Sequence, residues 1–267
     1  MTGEFSSAWL AAREPADAAA RAAELATALH DRFTSVSGPA AAGRTAAPLV
    51  IRDLGCGTGS LGRWLAPRLP RPQHWILHDH DPALLAHAAA SLPGDVTTEP
   101  QPGDVTALTG DDLAGTALVA GSALLDLFTA AEVASLAAAC AVHGTPALFT
   151  LSVTGEVRFD PPGPLDDTIA AAFNAHQRRE TGGRRLLGPD AGGVAAAAFE
   201  RAGATVTVRD SPWRLVSDRP PAAEWLAGWL DAAQEQRPDL RLDDYRRFRS
   251  DGRWTVTVGH RDLLAAF

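Results

Sequence analysis

The sequence predicts an α/β fold: a doubly wound, mainly parallel seven-stranded sheet with an N-terminal helical segment and helical insertions after strands five and six. Two observations predict it. Short apolar runs of strand length alternate with Ala- and Leu-rich runs of helix length from residue 49 to about 210, the pattern of a sheet covered by helices on both faces. The first of these strands, 50–53, also runs straight into a glycine-rich turn and then a helix, as a ligand-binding strand in such a sheet does. A chain of 267 residues is long enough to bury a full core for one domain of this kind.

The elements follow in order. Residues 5–33 read as helix, with Trp9, Leu10, Ala18, Ala22, Leu25 and Leu29 on an apolar face and Pro15 expected to break or begin a helix nearby. Residues 34–48 form a Ser/Gly/Pro/Ala linker without periodicity. The first strand, 50–53, leads to a helix over 58–69 that Pro70 and Pro72 end. A second strand at 74–78 precedes a helix at 82–92, and a third strand lies near 96–99. The run 116–122 is a buried fourth strand, 129–142 a helix and 147–153 the fifth strand. Helices at 165–180 and 189–202 lead to a strictly alternating sixth strand at 204–209. After Pro220-Pro221 a Trp-rich amphipathic helix covers 222–235, and 254–258 is the last strand. The organisation expected is thus a helical cap and linker over 1–48 and one domain over 49–267. Segments 155–188 and 212–250 exceed what the sheet needs, and they follow strands whose carboxyl ends border the ligand crevice of open α/β sheets. They are expected to wall or cover a site.

Composition narrows the chemistry. The formal net charge is −8, and the densest basic clusters, Arg178-Arg179 with Arg184-Arg185 and Arg246-Arg247 with Arg249, are interleaved with acids. That disfavours a polyanion partner such as nucleic acid. All 24 basic residues are Arg, which removes lysine Schiff-base chemistry and the lysine of a phosphate-binding P-loop. The two cysteines, Cys56 and Cys140, are too few for a disulfide scaffold or a cysteine zinc site, and no metal is expected. No run approaches the ~18–20 apolar residues of a membrane span. The N-terminal residues lack a secretory signal, so a cytoplasmic protein is expected.

The glycine turn admits two ligands. Gly57-Thr58-Gly59-Ser60-Leu61-Gly62 satisfies G-x-G-x-x-G, and Asp79 follows 79 − 57 = 22 positions later, as in dinucleotide sites. Asp53 separates the readings. A pyrophosphate wants helix N-terminal amides beside it, not a carboxylate. A ligand carrying an ammonium and a sulfonium suits that carboxylate. The pattern D-x-G-x-G-x-G at Asp53, Gly55, Gly57 and Gly59 resembles the first motif of class I S-adenosylmethionine (SAM)-dependent methyltransferases. The element order resembles their seven-stranded sheet, whose final strand runs antiparallel.

The resemblance implies a set of site residues. Asp53, Gly55, Cys56, Gly57 and Gly59 would cradle the methionine end of SAM, and Asp79, with His80 beside it, would meet the ribose hydroxyls. Asp104-Val105 would reach the adenine, and Ser122 would close the cofactor site after the fourth strand. There the Asn/Asp-Pro-Pro-Tyr/Phe run of nucleic-acid amino methyltransferases is absent, the chain having Ser122-Ala123-Leu124-Leu125-Asp126. That departure points to a small-molecule acceptor, with Asp126 available to it. On the N-terminal helix Arg13, Asp17 and Arg21 share one face, placing Arg21 for the cofactor carboxylate and Arg13 for an acceptor. Within 155–188, His176 is the candidate base, with Asn174 and Gln177 as acceptor contacts and His80 or Asp126 as fallback bases. The reaction expected is methyl transfer by direct in-line displacement, leaving S-adenosylhomocysteine (SAH). A SAM-binding enzyme with non-methyl chemistry, a SAM-binding silent subunit and a NAD-type oxidoreductase remain open alternatives.

Overall fold

The computed structural model describes residues 6–36 and 47–267; residues 1–5 and most of the expected linker, 37–46, lie outside them. Helix α1 (Ser7–Ala20) starts on Ser6, whose hydroxyl accepts the Trp9 N–H, and α2 (Ala23–Val36) follows. The single helix expected over 5–33 is therefore two. Its break falls at Arg21, with extended ψ of 135°, and Pro15 is accommodated inside α1. The alternating part follows as β1 (Leu49–Leu54), α3 (Ser60–Leu65), β2 (Gln73–Asp79), α4 (Pro82–Ser91), β3 (Thr97–Pro102), β4 (Leu118–Ser122), α5 (Ala130–His143) and β5 (Ala147–Asp160). Then come α6 (Asp166–Gln177), a two-stranded ribbon of β6 (Glu180–Thr181) and β7 (Arg184–Arg185), α7 (Ala191–Arg201), β8 (Thr205–Asp210), β9 (Trp213–Val216), α8 (Ala222–Gln236), α9 (Asp243–Asp251) and β10 (Thr255–Ala266).

The main sheet runs β3-β2-β1-β4-β5-β10-β8, with β9 added alongside β10. Strands β1 to β5 pair in parallel, and β10 is antiparallel to both β5 and β8. The seven expected strands are all present, and β9 is an eighth. Side-chain alternation assigns the two faces. Ile51, Trp75, Leu77, Leu118 and Ala120 pack with α2, α3 and α4 into one core. Leu54, Val119, Phe149 and Leu263 pack with α5 and α7 into a second.

The largest departure from expectation lies at the carboxyl end of the sheet. β5 runs to Asp160 and β10 begins at Thr255, so the two continue as an antiparallel pair past the parallel region, with β9 on the other side of β10. Here the sheet is covered on one face only: Glu156 and Arg158 are exposed, whereas Phe159, Trp213, Leu215 and Val256 are buried against α6, α8 and α9. The segments expected as helical insertions are thus part strand. This third core also takes in Trp9, Ala16 and Ala20, so it holds α1 beside the carboxyl ends of the strands.

Candidate functional site

A cavity of about 210 Å³ opens where the strand order reverses, at the carboxyl ends of β1, β4 and β2. Asp53 comes from β1, Ser122 from β4, Asp79 from β2, and α1 closes one side with Leu10, Arg13, Asp17 and Arg21. Asp53 shares the face of Ile51, so its carboxylate turns inward where the strand ends. It is fully buried, and neither oxygen has a hydrogen-bond partner among the described residues. Burial pushes its carboxyl up to about 7, with Arg21 pulling it down, Asp79 adding to the rise and Arg63 opposing.

Arg21 stands at the end of α1, buried to 5% exposure. Its Nη2 donates to Ser60 Oγ at 3.2 Å and Ser122 Oγ at 3.1 Å, while Nε and Nη1 are buried without a partner among the described residues. Burial lowers its pKa, and the charge of Asp17 works against that drop. A carboxylate and a guanidinium with unused hydrogen-bonding capacity thus line one cavity. Buried polar groups are ordinarily satisfied, and leaving a charged one unmet is costly. The arrangement fits a ligand that brings one cation and one anion.

The turn is built around Asp79. Its Oδ2 accepts the Gly57 N–H at 2.9 Å and its Oδ1 the Asp81 N–H at 3.0 Å, which leaves lone pairs on both oxygens. Gly57 has φ of +53°, and a Cβ there would lie 3.3 Å from Leu10 of α1. Gly59 has φ of +84°, and a Cβ there would come within 3.1 Å of the Ala88 Cα. Gly59 lets α3 start against α4 and does not itself line the cavity. Cys56 lines it as a buried thiol whose pKa burial drives far up, which disfavours the thiolate form.

No protein-family profile matches the chain, and no curated protein sequence matches it. Solved structures align with it at low identity. Geranyl diphosphate C-methyltransferase from Streptomyces coelicolor A3(2), in complex with Mg²⁺, geranyl diphosphate and SAH, is 12% identical over 91% of this chain and 80% of its own, with a TM-score of 0.45. Human N-acetylserotonin methyltransferase in complex with SAM is 16% identical over 74% of this chain and 48% of its own, at 0.43. An O-methyltransferase family protein from Burkholderia thailandensis is 18% identical over 88% of this chain and 56% of its own, at 0.42. The chain thus spans about half the length of the last two. The fold assignment rests on the sheet itself: five parallel strands in the order 3-2-1-4-5, then the antiparallel last strand of the chain. The fold is that of the class I methyltransferases.

Of the residues this resemblance singled out, the cavity gathers Arg13, Arg21, Asp53, Gly55, Cys56, Gly57, Asp79, His80 and Ser122. His80 is at its rim, its side chain 82% exposed and 3.3 Å from Asp79 Oδ1. His78, Asp79, His80 and Asp81 do not converge: His78 meets Arg52 across the sheet, and Asp81 caps α4 through the Ala83 and Leu84 amides. Among the described residues, no group of three or more His, Cys, Asp or Glu is placed to hold a metal.

The remaining candidates lie outside the cavity lining. Asp104 is exposed and spends Oδ1 on Thr106, and Val105 packs against the second core. Asn174 donates Nδ2 to Gly155 O at 2.9 Å with its Oδ1 buried and unmet among the described residues, as is Gln177 Oε1. His176 is held between α6 and α8, its Nε2 3.3 Å from Glu235 and its Nδ1 3.3 Å from Arg179. Asp126 is nearer, half-buried in the 3-10 turn Leu125–Leu127, whose last residue lines the cavity. Burial pushes its carboxyl up to about 6, with Arg13 and Arg179 opposing. Asp17, Thr58 and Ser60 line the cavity without having been singled out as site residues. The spacing of Asp17 within the Arg13–Arg21 ladder was the available signal for it.

Proposed function

We propose that this chain binds SAM in the cavity and transfers its methyl group to a small-molecule acceptor. The observation that carries the reading is the buried pair of unspent opposite charges, Asp53 and Arg21, on one cavity at the switch point of the sheet. SAM ends in a free α-amino acid, whose ammonium suits Asp53 and whose carboxylate suits Arg21 Nε and Nη1. A dinucleotide would set its pyrophosphate beside Asp53, a like-charge contact in a buried site. Asp79 keeps accepting capacity beyond the Gly57 and Asp81 amides, which supports its reading as the acceptor for the ribose hydroxyls.

When bound, SAM supplies an electrophilic methyl on sulfonium, which departs as a neutral thioether. The protein's share is alignment and exclusion of water. Leu10, Leu61, Leu84, Leu124 and Leu127 give the cavity apolar walls. For an acceptor that must lose a proton, Asp126 takes the base role first read for His176, because both His176 ring nitrogens already face partners and the ring lies away from the cavity.

Calorimetric titration with SAM, SAH and NAD in parallel tests the reading. Binding of SAM and SAH without NAD is the expected result. NAD binding without SAH would return the glycine turn to dehydrogenase chemistry.

A further inference from the structure

The turn after β4 sets a carboxylate among cations without pairing it to any. Leu124 and Leu127, on either side of Asp126, line the cavity, and Leu127 is still 36% exposed, so the turn stands at the cavity mouth. Apart from its own amide, Asp126 has no hydrogen-bond donor and no ion pair among the described residues, and its oxygens are not sealed from solvent. Burial raises its carboxyl to about 6, and the charges of Arg13 on α1 and Arg179 just past α6 pull against that rise.

Arg13 is held ready for a further partner. Its Nε, at 3.0 Å, and Nη2, at 3.2 Å, both donate to Asp17, and the guanidinium lies over the Trp213 ring, 5.0 Å from its centroid. Nη1 is left without a partner among the described residues, on a side chain that lines the cavity and is 13% exposed. Asp17 thus fixes the plane of the fork and leaves one edge of it open. Arg179 likewise spends only Nη1, on the His176 ring and carbonyl. An acceptor ammonium would meet two guanidinium groups here as well as the sulfonium. An oxygen that gives its proton to Asp126 and keeps a negative charge beside Arg13 uses both groups.

Acidity narrows the choice of oxygen. A phenolic hydroxyl, at ~10, lies about four pH units above a carboxyl at about 6, whereas an aliphatic alcohol, close to water at ~15.7, lies about ten above it. A guanidinium hydrogen bond together with a neighbouring sulfonium closes the first gap, since shifts of ~3–5 units are the upper range at buried sites. The second gap is too wide for them.

We propose that the acceptor is an acidic, phenol- or enol-like hydroxyl on an apolar body, with Asp126 as its base, Arg13 Nη1 on its oxygen and Leu10 and Leu127 against the body. The chain is then an O-methyltransferase. The hydroxyl proton passes to Asp126, an oxygen lone pair forms the O–CH3 bond, and the C–S bond breaks with its electrons on sulfur, leaving SAH. This rests on the SAM reading above and names its substrate class.

2-Naphthol and 2-naphthylamine share one body and differ in whether the polar atom becomes an anion. Each is titrated at pH 8 into the full chain saturated with SAH. 2-Naphthol is expected to bind at least about tenfold more tightly, and its ionisation, followed by absorbance, to move down by about one pH unit or more on binding. Arg13→Met should remove both effects, and Arg13→Lys, which keeps a charge there, should retain the downward shift. The preference is a ratio within one protein, so a general loss of affinity does not imitate it, and the wild-type ratio decides even where Arg13→Met fails to fold. Equal binding of the two probes by the wild type, binding of neither, or a preference that survives Arg13→Met would overturn the inference and leave the SAM reading standing. A wild-type protein that does not bind SAH would overturn the SAM reading itself.

Discussion

Asp53→Asn is expected to stabilise the ligand-free protein at pH 8 while abolishing its binding of SAH. The Asp53 carboxyl sits without a hydrogen-bond partner among the described residues, and burial moves it from an ordinary 3.8 to about 7. Between those two values the native state holds a proton that the unfolded chain has released, so this group's contribution to stability falls as pH rises through that window. A gap of about three pH units at 1.36 kcal/mol each corresponds to about 4 kcal/mol, fully lost above pH 7 and not yet lost below pH 4. Water entering the cavity reduces that figure, and half of it still moves the midpoint by about 4–8 °C for a chain of this size. Asparagine keeps the shape and has no carboxylate to ionise. The assay is a thermal melt of both proteins, ligand-free, from pH 4.5 to 8, with a SAH titration at pH 8. The midpoint difference in favour of the variant should grow with pH. A variant that melts at or below the wild type at pH 8, or a difference that ignores pH, would refute the reasoning that Asp53 is an unspent buried charge.

Other consequences follow from the same geometry. Arg21→Met should weaken SAH by about 10- to 100-fold, the worth of a charge-assisted hydrogen bond to a carboxylate, and leave 5′-methylthioadenosine nearly unchanged by calorimetry. Gly59→Ala should cost about 1–3 kcal/mol in denaturant unfolding, because φ of +84° and the approach of Ala88 both oppose a Cβ; an unchanged midpoint would count against that packing. With an acceptor that must be deprotonated, kcat/KM should rise through about pH 6 as Asp126 loses its proton, and Asp126→Asn should remove that rise.

What could be read along the chain was what is local. Asp53, the glycine turn and Asp79 lie in one strand-turn-helix-strand run, and their chemistry follows from residue type and spacing. The inner parallel strands were legible because burial on both faces writes an apolar run, as in Leu118–Ser122, whereas the edge strand β3 is almost wholly exposed. The extension of β5 past Val153 was not, because that stretch is covered on one face and its exposed Glu156 and Arg158 interrupt the apolar signal. β9, at four residues, and the strongly charged α9 were hidden for similar reasons: each is held by the third core and not by its own pattern.

The site failed to be legible where partners lie far apart in sequence. His176 looked like a free base among polar neighbours, but its partner Glu235 is 59 residues away. Asp104 matched a motif position, and its Oδ1 is taken by Thr106 within its own turn, outside the cavity lining. Pro15 looked like a helix break, yet the break belongs to Arg21, whose side chain is anchored by Ser60 and Ser122. Those contacts turn a charged ladder on an amphipathic helix into one wall of a cavity.

In the proposed complex one cavity spends Asp53 on a cation and Arg21 on an anion of the same amino acid. A crystal structure of the SAH complex tests it most directly. The α-ammonium is expected on the Asp53 carboxylate, the α-carboxylate on Arg21 Nε or Nη1, and the ribose on Asp79. SAH bound with its amino-acid tail turned to solvent, leaving Asp53 and Arg21 unmet, would contradict it.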